Sequence, residues 1–326
     1  MQATLSFHMS EQMNEKHNLR TIYVPYVDTA KSKDNVYYLF SESKEQAYHE
    51  LFDEAVEEYN AKQKRKDRRI KDYLKKIQEA EEKQKKLLAQ KRAEGCSYKE
   101  ISKYKKAKQS SYEIVVSLGN IQQNPEFSPG GEKADVVKAI LDDYIKGFQS
   151  TNPNVYLYQS CIHCDETGVI HAHLDVVFYS DSFKTGLRRR VSLNKALEDM
   201  GFVSDEKSEN GQKKQLAVEK WQNAERNQLH DIAKKYGVEI VCGNQSRQHL
   251  DREHYIIKKQ QEEIKAKESS IKNCVTQIDN FLKYDPKGKE FYYKAELSKS
   301  EKELEKLKKE YEAVMKDRIT EEIQEK

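Results

Sequence analysis

Three of the nine histidines in this 326-residue chain, His163, His171 and His173, crowd into the run C-I-H-C-D-E-T-G-V-I-H-A-H-L from Cys161 to Leu174, with Asp165 and Glu166 between them. Neutral imidazole is a common ligand for divalent metals, and a carboxylate beside it can orient a ring or accept a proton. The residues after His171 are β-branched and aromatic, which predicts a strand, so His171 and His173 project from one face. Val155 to His163 predicts a second strand, and Asp165 to Gly168 supply turn chemistry. A hairpin of the two brings His163 beside the pair. Three imidazoles on one side of a sheet leave the rest of a cation's coordination sphere open, as metal-assisted catalysis requires. A lone strand histidine is ordinarily a hydrogen-bonded structural residue; three of them with two carboxylates at hairpin distance favour the metal site. Cys161 and Cys164 form a C-x-x-C, but no second such pair follows and no thioredoxin-like pattern surrounds it. They read as small buried residues, with Cys161, on the His163 face, a candidate extra ligand.

The elements that must position these groups follow from periodicity. Short strands are predicted at Ala3–Phe7 and Val36–Phe40, and a long Glu/Lys/Gln-rich helix from Lys44 to about Ala93. Ser97 and Glu100 have the spacing of a capping box opening another short helix. Tyr112 to Leu118 predicts a strand closed by Gly119. After the Ser128-Pro129-Gly130-Gly131 turn, Val136, Val137, Ile140, Leu141, Tyr144, Ile145 and Phe148 form one apolar stripe, a helix expected to pack behind the hairpin and support the site. Ser192 caps a short helix ended by Gly201, Trp221–Tyr236 reads as helix, and Val238–Cys242 as strand. From Asp251 the pattern changes: Ile257, Ile264, Ile271 and Ile278 repeat every seven residues, Leu297, Leu304 and Tyr311 do so later, and Asp285-Pro286-Lys287-Gly288 separates the two arms. This predicts a helical hairpin or coiled coil for assembly or partner docking, including a homodimer.

Composition narrows the class. Charged residues make up 35% and hydrophobic ones 37%, so much of the length is expected as exposed helix. No apolar run is long enough to span a membrane, the start lacks the form of a signal peptide, and five scattered cysteines fit a reducing cytoplasm, which is the expected location. The net charge of +3 hides an asymmetry: residues 61–110 carry nineteen Lys/Arg against seven Asp/Glu, whereas residues 251–326 carry eighteen of each. A basic helical segment beside a metal site points to a polyanionic substrate, with nucleic-acid phosphates the natural one. A solvated coiled-coil face is the plainer explanation of the same composition.

Near the N-terminus stands His17-Asn18-Leu19-Arg20. A metal that coordinates a phosphate oxygen makes the phosphorus more electrophilic, and a neutral imidazole can attack it to form a phosphoramidate. Arg20 would clamp the phosphate and Glu166 would orient the ring or take its proton. Here the chain resembles the plasmid mobilization/recombination relaxases (Mob/Pre, MobV type) of the HUH endonuclease superfamily. That family shows H-N-x-R near its N-terminus and H-x-D-E-x-x-P-H-x-H in the middle. The first motif is matched by His17-Asn18-Leu19-Arg20. The second is matched by His163-Cys164-Asp165-Glu166 and His171-Ala172-His173, with a loop one residue longer and without the proline. Asn35-Val36-Tyr37-Tyr38-Leu39 is similar to the family's asparagine–tyrosine motif. The resemblance covers roughly residues 1–255 and makes no claim on the tail.

The resemblance implies an α+β fold, an HUH-type antiparallel sheet of about five strands with helices mainly on one face. It implies a relaxase domain over 1–250 with a basic helical insertion at about 44–108, followed by the coiled-coil region 251–326. His163, His171 and His173 would hold one Mn²⁺ or Mg²⁺. His17 would take the 5′ phosphate at a nick in an origin of transfer, releasing a 3′-OH, and the reverse attack would reseal the strand. Glu166 would position or deprotonate His17, with Asp165 in a supporting role and Asn18 and Arg20 counted among the catalytic residues. Tyr23 and Tyr26 are the rival nucleophiles. Lys184, Arg188, Arg190 and Tyr26 are candidate DNA contacts, the partners being single-stranded DNA at the nick, adjacent duplex, and coupling or accessory mobilization proteins. Two alternatives stand beside this reading. One is an HUH-type replication initiator or transposase; the other is a non-catalytic DNA-binding coiled-coil scaffold with a structural zinc.

Overall fold

In the computed structural model the chain divides into two compact units, Met1–Gly243 and Asn244–Lys326, where the sequence pattern placed the division at 250/251. The structure describes residues 1–11, 13–22, 27–97, 100, 108–205 and 215–241 of the first unit, and of the second 261, 264–265, 267–269, 271–272, 298–306 and 308–309. The first unit is α+β. Its strands are β1 (Gln2–Ser10), β2 (Val36–Leu39), β3 (Tyr112–Leu118), β4 (Val155–His163), β5 (His171–Ser180), β6 (Arg190–Val191) and β7 (Glu239–Val241). They join one sheet in the order β2-β4-β5-β3-β1-β7, with β6 paired to β5. All pairings are antiparallel except β1 with β7, and the seven strands exceed the five expected.

The register divides the sheet into two chemically distinct faces. Ile114, Val116 and Leu118 of β3, Ala172, Leu174, Val176 and Phe178 of β5, and Ile162, Leu157 and Val155 of β4 share one face and are buried in the main core. Onto it pack α4 (Ala134–Thr151), α5 (Leu193–Asp199) and α6 (Ala217–Lys235). The apolar stripe predicted from Val136 to Phe148 lies on α4, where Val137, Ile140, Leu141, Tyr144, Ile145 and Phe148 are all buried. A polar network locks α6 to α4: the Trp221 indole donates to Asn152 at 2.7 Å, and Glu225 accepts from the Tyr144 hydroxyl at 2.6 Å and from Asn152 at 3.1 Å. Ser192 caps α5, accepting from Lys195 N, and the helix stops before Gly201, as the sequence predicts.

The opposite face carries the histidines at one end. Farther along it a β-bulge at Tyr158 shifts the register between Leu157 and Gln159. There Tyr158, Val177 and Val191 are covered by Ala47, Tyr48, Leu51 and Phe52 of α2 (Lys44–Ala61) and by Leu74 and Ile77 of α3 (Tyr73–Ala93). Two expectations are corrected here. Helices cover both faces, because α2 and α3 bury the half of the histidine face that bears tyrosines and valines. The single helix expected from Lys44 to Ala93 is two, joined through the basic run Lys62–Arg69. Like charges crowd that run, and the Asn60 side chain closes the connection by bonding both the N–H and the C=O of Ile70. Asp72 then caps α3, accepting from Lys75 N at 2.8 Å.

In the second unit the described pieces are helical, and Lys267 pairs with Glu303 and Lys308 with Glu268. Ile264, Ile271 and Leu304 of the predicted heptads are half-buried. Ile257, Ile278, Leu297, Tyr311 and the Asp285–Gly288 break lie outside the described residues. Among the described residues no helix is long and apolar enough to cross a membrane.

Candidate metal centre

The antiparallel register of β4 and β5 sets His163 opposite His171 and Cys161 opposite His173, so all four side chains share the sheet's polar face. The three rings converge, with centroids 5.4 Å apart for His163–His171, 4.8 Å for His163–His173 and 5.0 Å for His171–His173. Each ring has one nitrogen committed to an acceptor. His163 Nε2 donates to the Asn18 carbonyl at 2.9 Å, and His171 Nδ1 donates to the Val169 carbonyl at 3.1 Å. His173 Nδ1 donates to Glu113 Oε1 at 3.0 Å. A carbonyl or carboxylate can only accept, so the protons on Nε2, Nδ1 and Nδ1 are fixed. The remaining lone pairs are His163 Nδ1, His171 Nε2 and His173 Nε2. Two of these, His163 Nδ1 and His173 Nε2, are buried without a hydrogen-bond partner.

Buried polar atoms without partners are costly, and a divalent cation would satisfy His163 Nδ1 and His173 Nε2, although the predicted trio His163, His171 and His173 is not itself a group whose ligand atoms converge. Burial and repulsion from His173 push His171 down to about 3, and burial also lowers His163, so both rings are neutral and able to ligate at physiological pH. Two overlapping groups of three metal-ligating side chains can be drawn, His17 with His163 and His173, and His163 with Glu166 and His171. His163 belongs to both. Cys161 does not complete the set: its Sγ lies 3.2 Å from His163 Nε2, the nitrogen turned away toward Asn18, and burial pushes its thiol pKa up.

The H-N-x-R segment arrives over these rings on α1 (Glu15–Asn18), a single helical turn capped by Asn14. The His17 ring centroid is 5.5 Å from that of His163 and 5.9 Å from that of His173. Its Nε2 lies 3.0 Å from Glu166 Oε1. Burial opposes ionisation of Glu166, but its contacts with the surrounding His163, His17 and His171 rings hold its carboxyl far below the ordinary range. Glu166 is therefore an acceptor at any working pH. The longer loop does not displace it.

Arg20 is committed inward. Nε and Nη2 make a fork to Asp165 at 3.0 and 2.6 Å, Nη2 also reaches Glu166 at 2.9 Å, and Nη1 donates to the His17 carbonyl at 2.7 Å and lies 3.3 Å from His17 Nε2. Most of its donors are turned inward, so Arg20 holds His17 and the Asp165–Glu166 loop together. The geometry is tight enough to hold Arg20 at φ 54°, a conformation that L-residues rarely take. Asp165 also accepts from Ser32 Oγ at 2.7 Å and Asn35 Nδ2 at 2.6 Å. Those donors hold it at about 2 despite burial. Asn35 also accepts from Cys164 N, and Asp28 N donates to the Asp165 carbonyl, so three chain segments fix the loop.

Asn18 is buried below the rings. Its Nδ2 donates to Glu113 Oε1 at 2.8 Å and stands 3.2 Å from Asp175 Oδ1, while its backbone carbonyl holds His163. Burial and the charge of Glu113 push the Asp175 carboxyl well above its ordinary value, whereas that of Glu113, despite burial, is lowered by its hydrogen bond with His173. Glu113 and Asp175 are groups that the sequence reading missed. The available signal was a lone carboxylate inside each of two apolar strands, Tyr112-Glu113-Ile114 and Leu174-Asp175-Val176.

The structure does not bring the predicted DNA contacts to the histidines. Arg190 pairs with Ser180, at the far end of β5 from His171. Arg188 lies within 4 Å of Glu54, Glu58 and Asp181, and Arg190 stacks on Phe183 at 3.6 Å. Lys184 is exposed on the same loop. Tyr23 and Tyr26 lie outside the described residues.

No protein-family model matches the chain, and no curated protein matches it in sequence. Among solved structures it is similar to the MobM relaxase domain (MOBV; Mob_Pre), crystallised with manganese and bound to plasmid pMV158 oriT DNA. The identity is 12% and the TM-score 0.38, over 77% of this chain and 97% of that one. At that level of likeness the chemistry of the site has to be taken from its own geometry.

Proposed function

We propose that the first unit is a metal-dependent DNA relaxase that nicks one strand at an origin of transfer through a covalent link between His17 and the 5′ phosphate. The observation that supports this reading is the clustering of the His17 ring with those of His163 and His173, and of these with His171, beside the Glu166 carboxylate. Bound by His163, His171 and His173, a divalent cation such as Mn²⁺ or Mg²⁺ would supply Lewis-acid polarisation of the scissile phosphate. Glu166 Oε1 holds the proton on His17 Nε2, which leaves the lone pair on Nδ1 for attack. As the N–P bond forms and the P–O3′ bond breaks, the positive charge that develops on the ring is stabilised by that carboxylate. The departing 3′ oxygen takes a proton from water. Resealing is the reverse: a 3′-hydroxyl attacks the phosphoramidate and His17 leaves neutral. Arg20 and Asp165 keep His17 and Glu166 in register, and Asn18 fixes His163 from below.

A second reading has a specific observation behind it. His17, His163 and His173 can themselves converge on one ion, which would make His17 a metal ligand rather than the nucleophile. One experiment separates the two. The protein is incubated with single-stranded and supercoiled origin DNA and Mn²⁺, and a covalent complex is sought by denaturing electrophoresis. The relaxase reading expects an adduct that His17→Ala abolishes while Mn²⁺ affinity stays within a few fold. Loss of Mn²⁺ binding in His17→Ala, with no adduct from the wild-type protein, sinks it in favour of His17 as a ligand. An adduct that survives His17→Ala and vanishes in Tyr26→Phe moves the nucleophile to the tyrosine.

A further inference from the structure

Two basic runs more than a hundred residues apart meet at the end of the first unit remote from the histidines. One is the connection between α2 and α3, K-Q-K-R-K-D-R-R-I-K from Lys62 to Lys71, where every Lys and Arg is exposed. The other is the loop from Lys184 to Arg190. They are joined by packing: Leu187 of the loop is buried against Ile70 of the connection and Ala55 of α2. The acids of this end are largely spent internally. Arg188 reaches Glu54, Glu58 and Asp181, and Arg189 forks onto Asp181 at 2.6 and 3.0 Å while donating to the Leu51 carbonyl. Asp67 is taken by Arg65. Among the described residues, Lys62, Lys64, Lys66, Arg68, Lys71 and Lys184 have no acidic partner. The result is a rigidly mounted knob of uncompensated positive charge.

Its position relative to the site follows from the sheet. The ten residues of β5 at ~3.3 Å each place the Ser180 end ~30 Å from His171. The α2–α3 pair rests on the same face as the histidines, through Tyr158 and Val177. A polyanion lying along that face from the metal centre would meet the knob after ~30 Å, about nine base pairs of duplex at ~3.4 Å per step. We infer that the composite patch of residues 62–71 and 184–190 is a second DNA-docking surface, one that grips the phosphates of duplex about nine base pairs from the bond cut at His17. Its distance from the histidines rests on the nickase reading; its binding of duplex does not. Phosphate contacts of this kind give affinity and orientation without sequence preference.

The test uses the full chain and a duplex of arbitrary sequence, roughly forty base pairs long so that it exceeds the span. Affinity is measured against salt for the wild type, for Lys64→Glu/Lys66→Glu/Arg68→Glu, for the same three positions as alanine, and for Lys234→Glu on the exposed side of α6. The slope of log affinity against log salt should fall by about 2 to 3 in the glutamate triple variant, at ~0.9 per lost phosphate contact. The alanine triple should move it in the same direction, Lys184→Glu should lower it further, and Lys234→Glu should leave it unchanged. Adduct formation on a short single strand, run in parallel, should be unaffected by the triple variants. An unchanged slope in variants with unaltered thermal unfolding overturns the patch, and so does an equal loss from Lys234→Glu. A wild type that forms no adduct overturns the nickase reading alone, because the slope still judges the patch.

Discussion

Removing the Arg20 guanidinium tests whether the nucleophile turn and the carboxylate loop are held by one buried ion pair. The Arg20 side chain is 11% exposed and that of Asp165 0%. Arg20→Ala would strand a carboxylate that keeps only Ser32 and Asn35 as donors. Breaking one side of a buried pair costs about 3–5 kcal/mol, and the two surviving hydrogen bonds argue for the lower end, ~3 kcal/mol. The pH dependence gives an independent estimate. Burial would raise the Asp165 carboxyl, but Arg20, Ser32 and Asn35 hold it at about 2 against an ordinary 3.8. A depressed carboxylate contributes stability that is present above ~4 and is lost as the pH falls toward 2, on the order of 2 kcal/mol for this difference. Urea unfolding at pH 7 and through the acid range should therefore show Arg20→Ala less stable by ~3 kcal/mol at neutral pH, with a flatter acid limb. A cycle with Asp165→Asn should be non-additive by about 2 kcal/mol, the double variant losing less than the sum. If Arg20→Ala stays within ~1 kcal/mol of wild type and keeps the same acid limb, the pair is not what fixes the loop.

Two further outcomes are expected. Glu113→Gln should weaken Mn²⁺ binding, read by electron paramagnetic resonance, by roughly tenfold to a hundredfold, because the amide no longer fixes the His173 tautomer; unchanged affinity would remove Glu113 from the support of the site. Glu225 sits in the buried Tyr144–Asn152 network, where burial raises its carboxyl above 4.5. The stability tied to its proton is complete below about 4.5 and declines as the pH rises through the raised value. Glu225→Gln should then gain on wild type as the pH rises above about 5 in thermal unfolding, and parallel curves for the two would refute the assignment.

Much of the site was legible because a strand repeats every two residues. H-x-H with a preceding turn and strand fixes a shared face whatever the tertiary detail, and the structure sets His163 opposite His171 as that logic requires. The stripe from Val137 to Phe148 was equally plain. What pattern could not supply was direction across the fold. Arg20 looked like a phosphate clamp, and nothing in H-N-x-R reveals that Asp165 and Glu166 would take its Nε and Nη2 donors. Arg188 and Arg190 follow the metal strand closely in sequence, but ten residues of β5 carry them to its other end. The break after Ala61 carries no Pro or Gly; it depends on Asn60 finding Ile70, a side chain-to-backbone closure that helix propensity does not register. Glu113 was hidden for a related reason, since a carboxylate in an apolar strand gains meaning only from its partner on the adjacent strand, here His173 two positions along the register.

The central claim is where a cation sits, so anomalous diffraction from a crystal soaked in Mn²⁺ tests it most directly. The account predicts one peak about 2.0–2.3 Å from His163 Nδ1, His171 Nε2 and His173 Nε2, with the His17 ring alongside but outside ligand distance. A peak bonded to His17, or no peak among the three rings, would contradict it.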